Sequence, residues 1–173
     1  MYYKMETIYF KGTPCHTYGN IPAAGEKAPE FKLTAADLSE ITNKDFAGKR
    51  VVLNIFPSLD TPVCAMSVRR FNEEAAKMKN TVVLCLSMDL PFAMSRFCAT
   101  EGIGNVVVAS AFRSPDFRKN YGLEMTDGPL AGLLARAVII IDEKGEVVYS
   151  DLVSEITNEP DYKGAFFVLE SDK

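Results

Sequence analysis

Cys64 closes the run Pro57-Ser58-Leu59-Asp60-Thr61-Pro62-Val63-Cys64. An apolar stretch, Val51-Val52-Leu53-Asn54-Ile55-Phe56, comes before it, and a helical pattern follows. Thr61 suits an N-cap and Pro62 the first helical position. Cys64 then falls in the first turn, where backbone N–H groups and the positive end of the helix dipole converge. That setting favours the thiolate, the nucleophilic form of cysteine. A free thiol with a pKa near ~8.5 is only a few per cent ionised at neutral pH. Lowering such a pKa by about two units takes roughly 2.7 kcal/mol. A helix end contributes up to about 2 kcal/mol. A cation must supply the rest, and spacing alone does not name it. The competing reading is a stripe cysteine buried as a small hydrophobe.

The other thiols are weighed the same way. Cys98 lies near the end of a helix opened by Pro91. It is either a core residue beside Phe92 and Phe97 or a thiol that attacks an oxidised Cys64. A disulfide between them needs Cα atoms within about 7 Å, which two separate helices rarely offer without motion. Cys85 sits inside Val82-Val83-Leu84-Cys85-Leu86 and reads as core. Cys15 has no motif around it; exposed, it would be open to adventitious disulfides. A protease-like Cys–His couple would need His16, the single histidine, to reach Cys64 from a terminal hairpin. That is disfavoured. Glu101 and Asp127 read as solvated surface. Arg136 stays charged and carries several fixed donors. It stands at the head of an apolar strand, with a surface ion pair as its plainer reading.

Composition narrows the classes. At 173 residues the chain reads as one domain with a full hydrophobic core. A net charge of -4 gives no basic footprint, so nucleic acid is not an expected partner. The apolar runs are too short to cross a bilayer. The first residues show no basic stretch followed by an apolar one, so a cytoplasmic protein without a signal peptide is expected. Four cysteines without C-x-x-C, and one histidine, argue against a zinc site and a disulfide scaffold.

The elements that must position these residues follow from periodicity. Residues 6–18 read as a β-hairpin turning at residues 11–14, a cap on the structure rather than part of its core. Residues 19–29 are a connector. Short strands are expected at 31–35 and 37–42, then a helical turn closed by Gly48. Residues 51–56 read as a strand buried on both faces. Cys64, Val68, Phe71, Ala75 and Met78 form a helix stripe through about residue 79. Strands at 81–87, 106–109, 136–142 and 147–152 alternate with helices at 91–100, 116–121 and from Pro160 onward. This is an α/β fold in the thioredoxin-like order: a mixed central sheet flanked by helices, with an N-terminal β-hairpin extension.

Pro57-x-x-x-Thr61-x-x-Cys64 resembles the active-site motif of peroxiredoxins. Residues 54–61, Asp89-Leu90-Pro91-Phe92-Ala93 with Arg96-Phe97-Cys98, Gly128-Pro129-Leu130 with Ala135-Arg136-Ala137-Val138, and residues 155–162 resemble bacterial thiol peroxidases. These are atypical two-cysteine peroxiredoxins. The likeness runs from about residue 7 to residue 169. It implies that Cys64 is the peroxidatic and Cys98 the resolving cysteine. It implies that Thr61 and Arg136 hydrogen-bond the thiolate and the peroxide oxygens, and that Pro57 shields the site from water. It also implies hydroperoxide substrates, thioredoxin as reductant, a homodimer and no metal or organic cofactor. Residues 1–4 precede the region of likeness, which makes Met5 an alternative start. A peroxide-responsive sensor using the same disulfide is the alternative function. A thioredoxin-type oxidoreductase is disfavoured by the missing C-x-x-C.

Overall fold

In the computed structural model, which describes residues 4–171, a seven-stranded sheet is built around β5 (Arg50–Ile55). Met1, Tyr2 and Tyr3, on which the alternative start and the leader reading partly turn, lie outside the described residues. Every residue of β5 is buried, as its near-continuous apolar run requires. β6 (Thr81–Ser87) pairs parallel on one side and β8 (Ala137–Ile141) antiparallel on the other. The sheet is completed by β7 (Val107–Ser110), β3 (Lys32–Ala35) and β4 (Glu40–Thr42) beyond β6, and β9 (Val147–Leu152) beyond β8. Its order is β4-β3-β7-β6-β5-β8-β9, with both parallel and antiparallel pairs.

Alternation along the strands splits the core into two faces. Leu53, Ile55, Leu84, Leu86, Ile139 and Ile141 belong to one apolar cluster, with Phe31, Phe117 and Tyr121. Val52, Val83, Cys85, Val138 and Ile140 belong to the other. The second cluster takes the inner faces of α1 (Pro62–Ala75), α2 (Pro91–Glu101) and α4 (Tyr162–Ser171). The short α3 (Pro115–Asn120) packs on the first through Phe117.

The hairpin forms from β1 (Thr7–Phe10) and β2 (Thr13–His16). Two expectations about it are corrected. Its turn is Lys11-Gly12 alone, because Thr13 and Pro14 already pair with Phe10 and Tyr9. It also contributes to the core: Ile8 and Cys15 are buried in the first apolar cluster. Other boundaries move slightly. α1 ends at Ala75, short of residue 79. Arg136 lies just before β8, which starts at Ala137.

Candidate active site

Strand register brings three chain segments to one end of the sheet. Ile55 faces Leu86 on β6 and Ala137 on β8. The loop after β5, the turn after β6 and the residue before β8 are therefore neighbours. The loop holds Pro57 to Thr61, the turn holds Asp89, and the residue is Arg136.

Thr61 is the N-cap of α1 and Pro62 its first residue. The Ala65 amide is the first to bond back, to Thr61 O at 3.0 Å. Helix geometry leaves the amides of Val63 and Cys64 without intrahelical acceptors. Thr61 does not cap with its side chain. Its hydroxyl instead donates to Ser58 O at 3.0 Å, tightening the loop. Pro57, at the start of the same loop, is buried.

Cys64 is fully buried, and its Sγ accepts a hydrogen bond from Arg136 Nη2 at 3.3 Å. Arg136 is thus the cation that spacing could not locate. It is 2% exposed, which rules out a surface ion pair. Its Nε donates to Ile156 O at 3.0 Å. Its Nη1 is buried without a hydrogen-bond partner. A buried guanidinium with an unspent donor beside a thiol is costly unless another acceptor arrives during function. Tyr162 stands close by: burial foremost and Glu159 next push its phenol up, while Arg136 and Arg70 oppose them.

Polar side chains brace the thiol-bearing turn and the loop before it. Asn54 on β5 donates Nδ2 to Ser67 Oγ at 3.2 Å, and Ser67 Oγ donates to Cys64 O at 2.8 Å. Asp89 accepts from Ser58 Oγ and the Leu59 amide, each at 2.7 Å, and from Ser87 Oγ at 2.6 Å. Asp89 O also accepts from Ser110 Oγ at 2.5 Å. One carboxylate thereby ties the loop before Cys64 to the turn that starts α2.

Cys98 lies on α2, half-buried against the second apolar cluster. Burial pushes its thiol up. Its carbonyl accepts the amides of Gly102 and Ile103, closing the helix with Gly102 at φ 67°. Phe92, which the core alternative for Cys98 would place beside it, is 67% exposed. Cys98 and Cys64 are both free thiols. Cys85 is fully buried and pushed up to about 12, chiefly by burial, against a hydrogen bond from Asn54. Cys15 is buried, so the condition for adventitious disulfides, an exposed thiol, is not met there. Asp127 is not merely solvated: it accepts from the His16 amide at 2.7 Å and meets His16 Nδ1 at 2.6 Å. Those bonds hold its carboxyl below the usual range. Glu101 is likewise paired, with Arg69 Nε at 2.7 Å. Among the described residues, no group of His, Cys, Asp and Glu is placed to hold a metal ion. No described helix is long and apolar enough to cross a membrane.

The family model for redoxins matches residues 23–166. The chain belongs to the redoxin family. A thiol peroxidase of Corynebacterium glutamicum is 52% identical over 165 residues, covering 95% of this chain and 99% of that protein. The crystal structure of a peroxiredoxin-like protein from Aquifex aeolicus shares 42% identity at a TM-score of 0.89, covering 96% of this chain and 98% of that one. A thiol peroxidase from Chromobacterium violaceum, 21% identical with a TM-score of 0.86 over 96% of each chain, shares the fold. This redoxin is therefore a peroxiredoxin enzyme of the thiol peroxidase group, with the thioredoxin-like architecture.

Several residues of the redoxin site carry no chemical signature in sequence. Asn54, Ser58, Asp89, Ile156 and Tyr162 fall in the four stretches that resemble thiol peroxidases, which was their only signal. Ser67 falls in none. Its role comes from being one helical turn after Cys64, where a serine can bond back to the carbonyl.

Proposed function

We propose that this redoxin reduces hydroperoxides through Cys64 and is recycled through Cys98. The observation that carries the reading is Arg136 Nη2 at 3.3 Å from the buried Cys64 Sγ, at a helix N-terminus. A fixed cation and unpaired amides stabilise the thiolate. The thiolate attacks the terminal peroxide oxygen, and an S–O bond forms as the O–O bond breaks. Sulfur is oxidised by two electrons, and the departing oxygen takes a proton to leave as water or alcohol. Arg136 Nη1, lacking a partner, is available to the charge that develops on those oxygens. Thr61 adds a hydroxyl able to donate and accept, and Pro57 helps keep water away.

Cys98 then attacks the sulfenic acid, an S–S bond forms, and water leaves. Cys64 is fully buried, and Cys98 sits in a capped helix end. In this reading the first turn of α1 and part of α2 unwind between the two steps so that the sulfurs meet. An external dithiol, thioredoxin in this reading, reduces the disulfide by exchange. Hydrogen peroxide and alkyl hydroperoxides are the substrates, and the working form is a homodimer.

Two substitutions test the mechanism. Cys64→Ser should abolish peroxide consumption. Cys98→Ser should keep one equivalent of oxidation at Cys64 and lose turnover with thioredoxin. Sustained activity in Cys64→Ser would refute the reading.

A further inference from the structure

The N-terminal hairpin takes no part in the chemistry above, yet it is bonded into the segment that holds Arg136. Its turn places Lys11 at φ 51° and Gly12 at φ 78°. Two positive φ angles suit the twist of a two-residue hairpin, but only Gly12 adopts them without a steric penalty. A non-glycine residue persists there when its surroundings hold it. The holding group is Glu155, whose carboxylate accepts the amides of Lys11 and Gly12, each at 3.0 Å. Thr157 donates its amide at 3.2 Å and its hydroxyl at 2.9 Å to the same carboxylate.

The backbone continues the clamp. Tyr9 N–H donates to Ser154 O at 2.7 Å, and Ile156 N–H donates to Tyr9 O at 2.8 Å. Ile8 and Ile156 share the first apolar cluster. On its other side the segment grips Arg136 twice. Val153 N–H donates to Arg136 O at 3.0 Å, and Ile156 O accepts from Arg136 Nε at 3.0 Å. A guanidinium is a rigid planar fork, so fixing Nε sets the directions of Nη1 and Nη2.

We infer that the hairpin and Glu155 are a positioning device for Arg136, in which the carboxylate locks the Lys11-Gly12 turn onto residues 153–156 and the Ile156 carbonyl thereby aims the guanidinium at Cys64. Glu155 touches neither thiol. It acts through Arg136, and a displacement of about 1 Å at a reacting centre can cost up to about 100-fold in rate. The rate arm of the test rests on the peroxidase reading; the alkylation arm does not.

The test compares full-length wild type, Glu155→Ala, Glu155→Gln, Arg136→Met and Glu155→Ala with Arg136→Met. Two quantities are read at Cys64 by peptide mass: the single-turnover rate with hydrogen peroxide, and the ratio of alkylation rates by iodoacetate and iodoacetamide. The ratio reports a cation beside the sulfur. Glu155→Ala is expected to slow the peroxide step roughly tenfold and to lower the ratio. Glu155→Gln, which keeps one acceptor oxygen, should do both to a lesser degree. In the Arg136→Met background, loss of Glu155 should add nothing to either quantity, as expected when one residue acts through the other. Equal effects in both backgrounds, or no effect of Glu155→Ala on either quantity, would overturn the inference. If Glu155→Ala does not fold, Glu155→Gln in the two backgrounds decides in the same way. If wild type and Arg136→Met react equally slowly with peroxide, the peroxidase reading fails and the alkylation ratio alone judges the positioning role.

Discussion

Arg136 Nη2 and Cys64 Sγ lie 3.3 Å apart although 72 positions of chain separate them. The contact exists because Ile55 and Ala137 pair across β5 and β8. Removing the cation should therefore harm the peroxide step far more than the fold. Arg136→Met is expected to slow Cys64 oxidation by about 10²–10³, the range for losing one donor to developing charge. Arg136→Lys should recover little, since an ammonium cannot bond Ile156 O and Cys64 together as a planar fork does. Stopped-flow oxidation at several peroxide concentrations measures both, and wild-type rates in Arg136→Lys would contradict the geometry.

Asp89 gathers Ser58, Leu59 and Ser87 at one carboxylate. Replacing it by alanine leaves the Leu59 amide without its charged acceptor. The expected loss is about 2 kcal/mol of folding stability, typical for hydrogen bonds to a charged group. Urea unfolding checks the size. Amide exchange should show the loss concentrated in residues 57–61 and at the start of α2, and uniform loss across the sheet would count against it.

Acid should loosen the hairpin before it unfolds the sheet. The Gly12 amide foremost, with Thr157 and the Lys11 amide, holds Glu155 down at about 2, against an ordinary carboxyl value near ~4.3. A depressed folded-state pKa adds stability that is complete above the unfolded value and fades as pH falls through the folded one. The Glu155 contribution is thus full above about pH 5 and lost towards pH 2. Thermal melts of wild type and Glu155→Gln should differ at pH 6 and converge near pH 2. A gap that stays constant with pH would show that the charge is immaterial.

Cys85 should be chemically silent. It is fully buried and held up to about 12. In the folded protein at pH 8 it should resist iodoacetamide while Cys98 reacts. Cys85→Ala removes one heavy atom from the core, so a cost of about 1 kcal/mol is expected. Peroxide turnover should be unchanged. Loss of turnover in a stably folded Cys85→Ala variant would place this thiol in the mechanism.

Much of the local structure was legible in the residues alone. Strand β6, the starts of α1 and α2, and the closing of α2 by Gly102 follow from apolar runs, proline and glycine, all of which act within a few positions. The same holds for Cys64 at a helix start, because the preference of Pro62 for the first helical position is local. Tertiary structure decided which distant groups serve that thiol. Arg136 stood out as a charged residue before an apolar strand, but only the β5–β8 register carries it to Cys64. Asp89 reaches Ser58 because β5 and β6 run parallel and end together. Glu155 meets Lys11 and Gly12 across more than 140 positions because residues 154–156 lie against β1. The burial of Cys15 and the pairing of the exposed Asp127 with His16 are set the same way. Burial and pairing belong to the packed sheet and hairpin, and a periodicity of two or 3.6 residues carries no information about which strand will lie alongside.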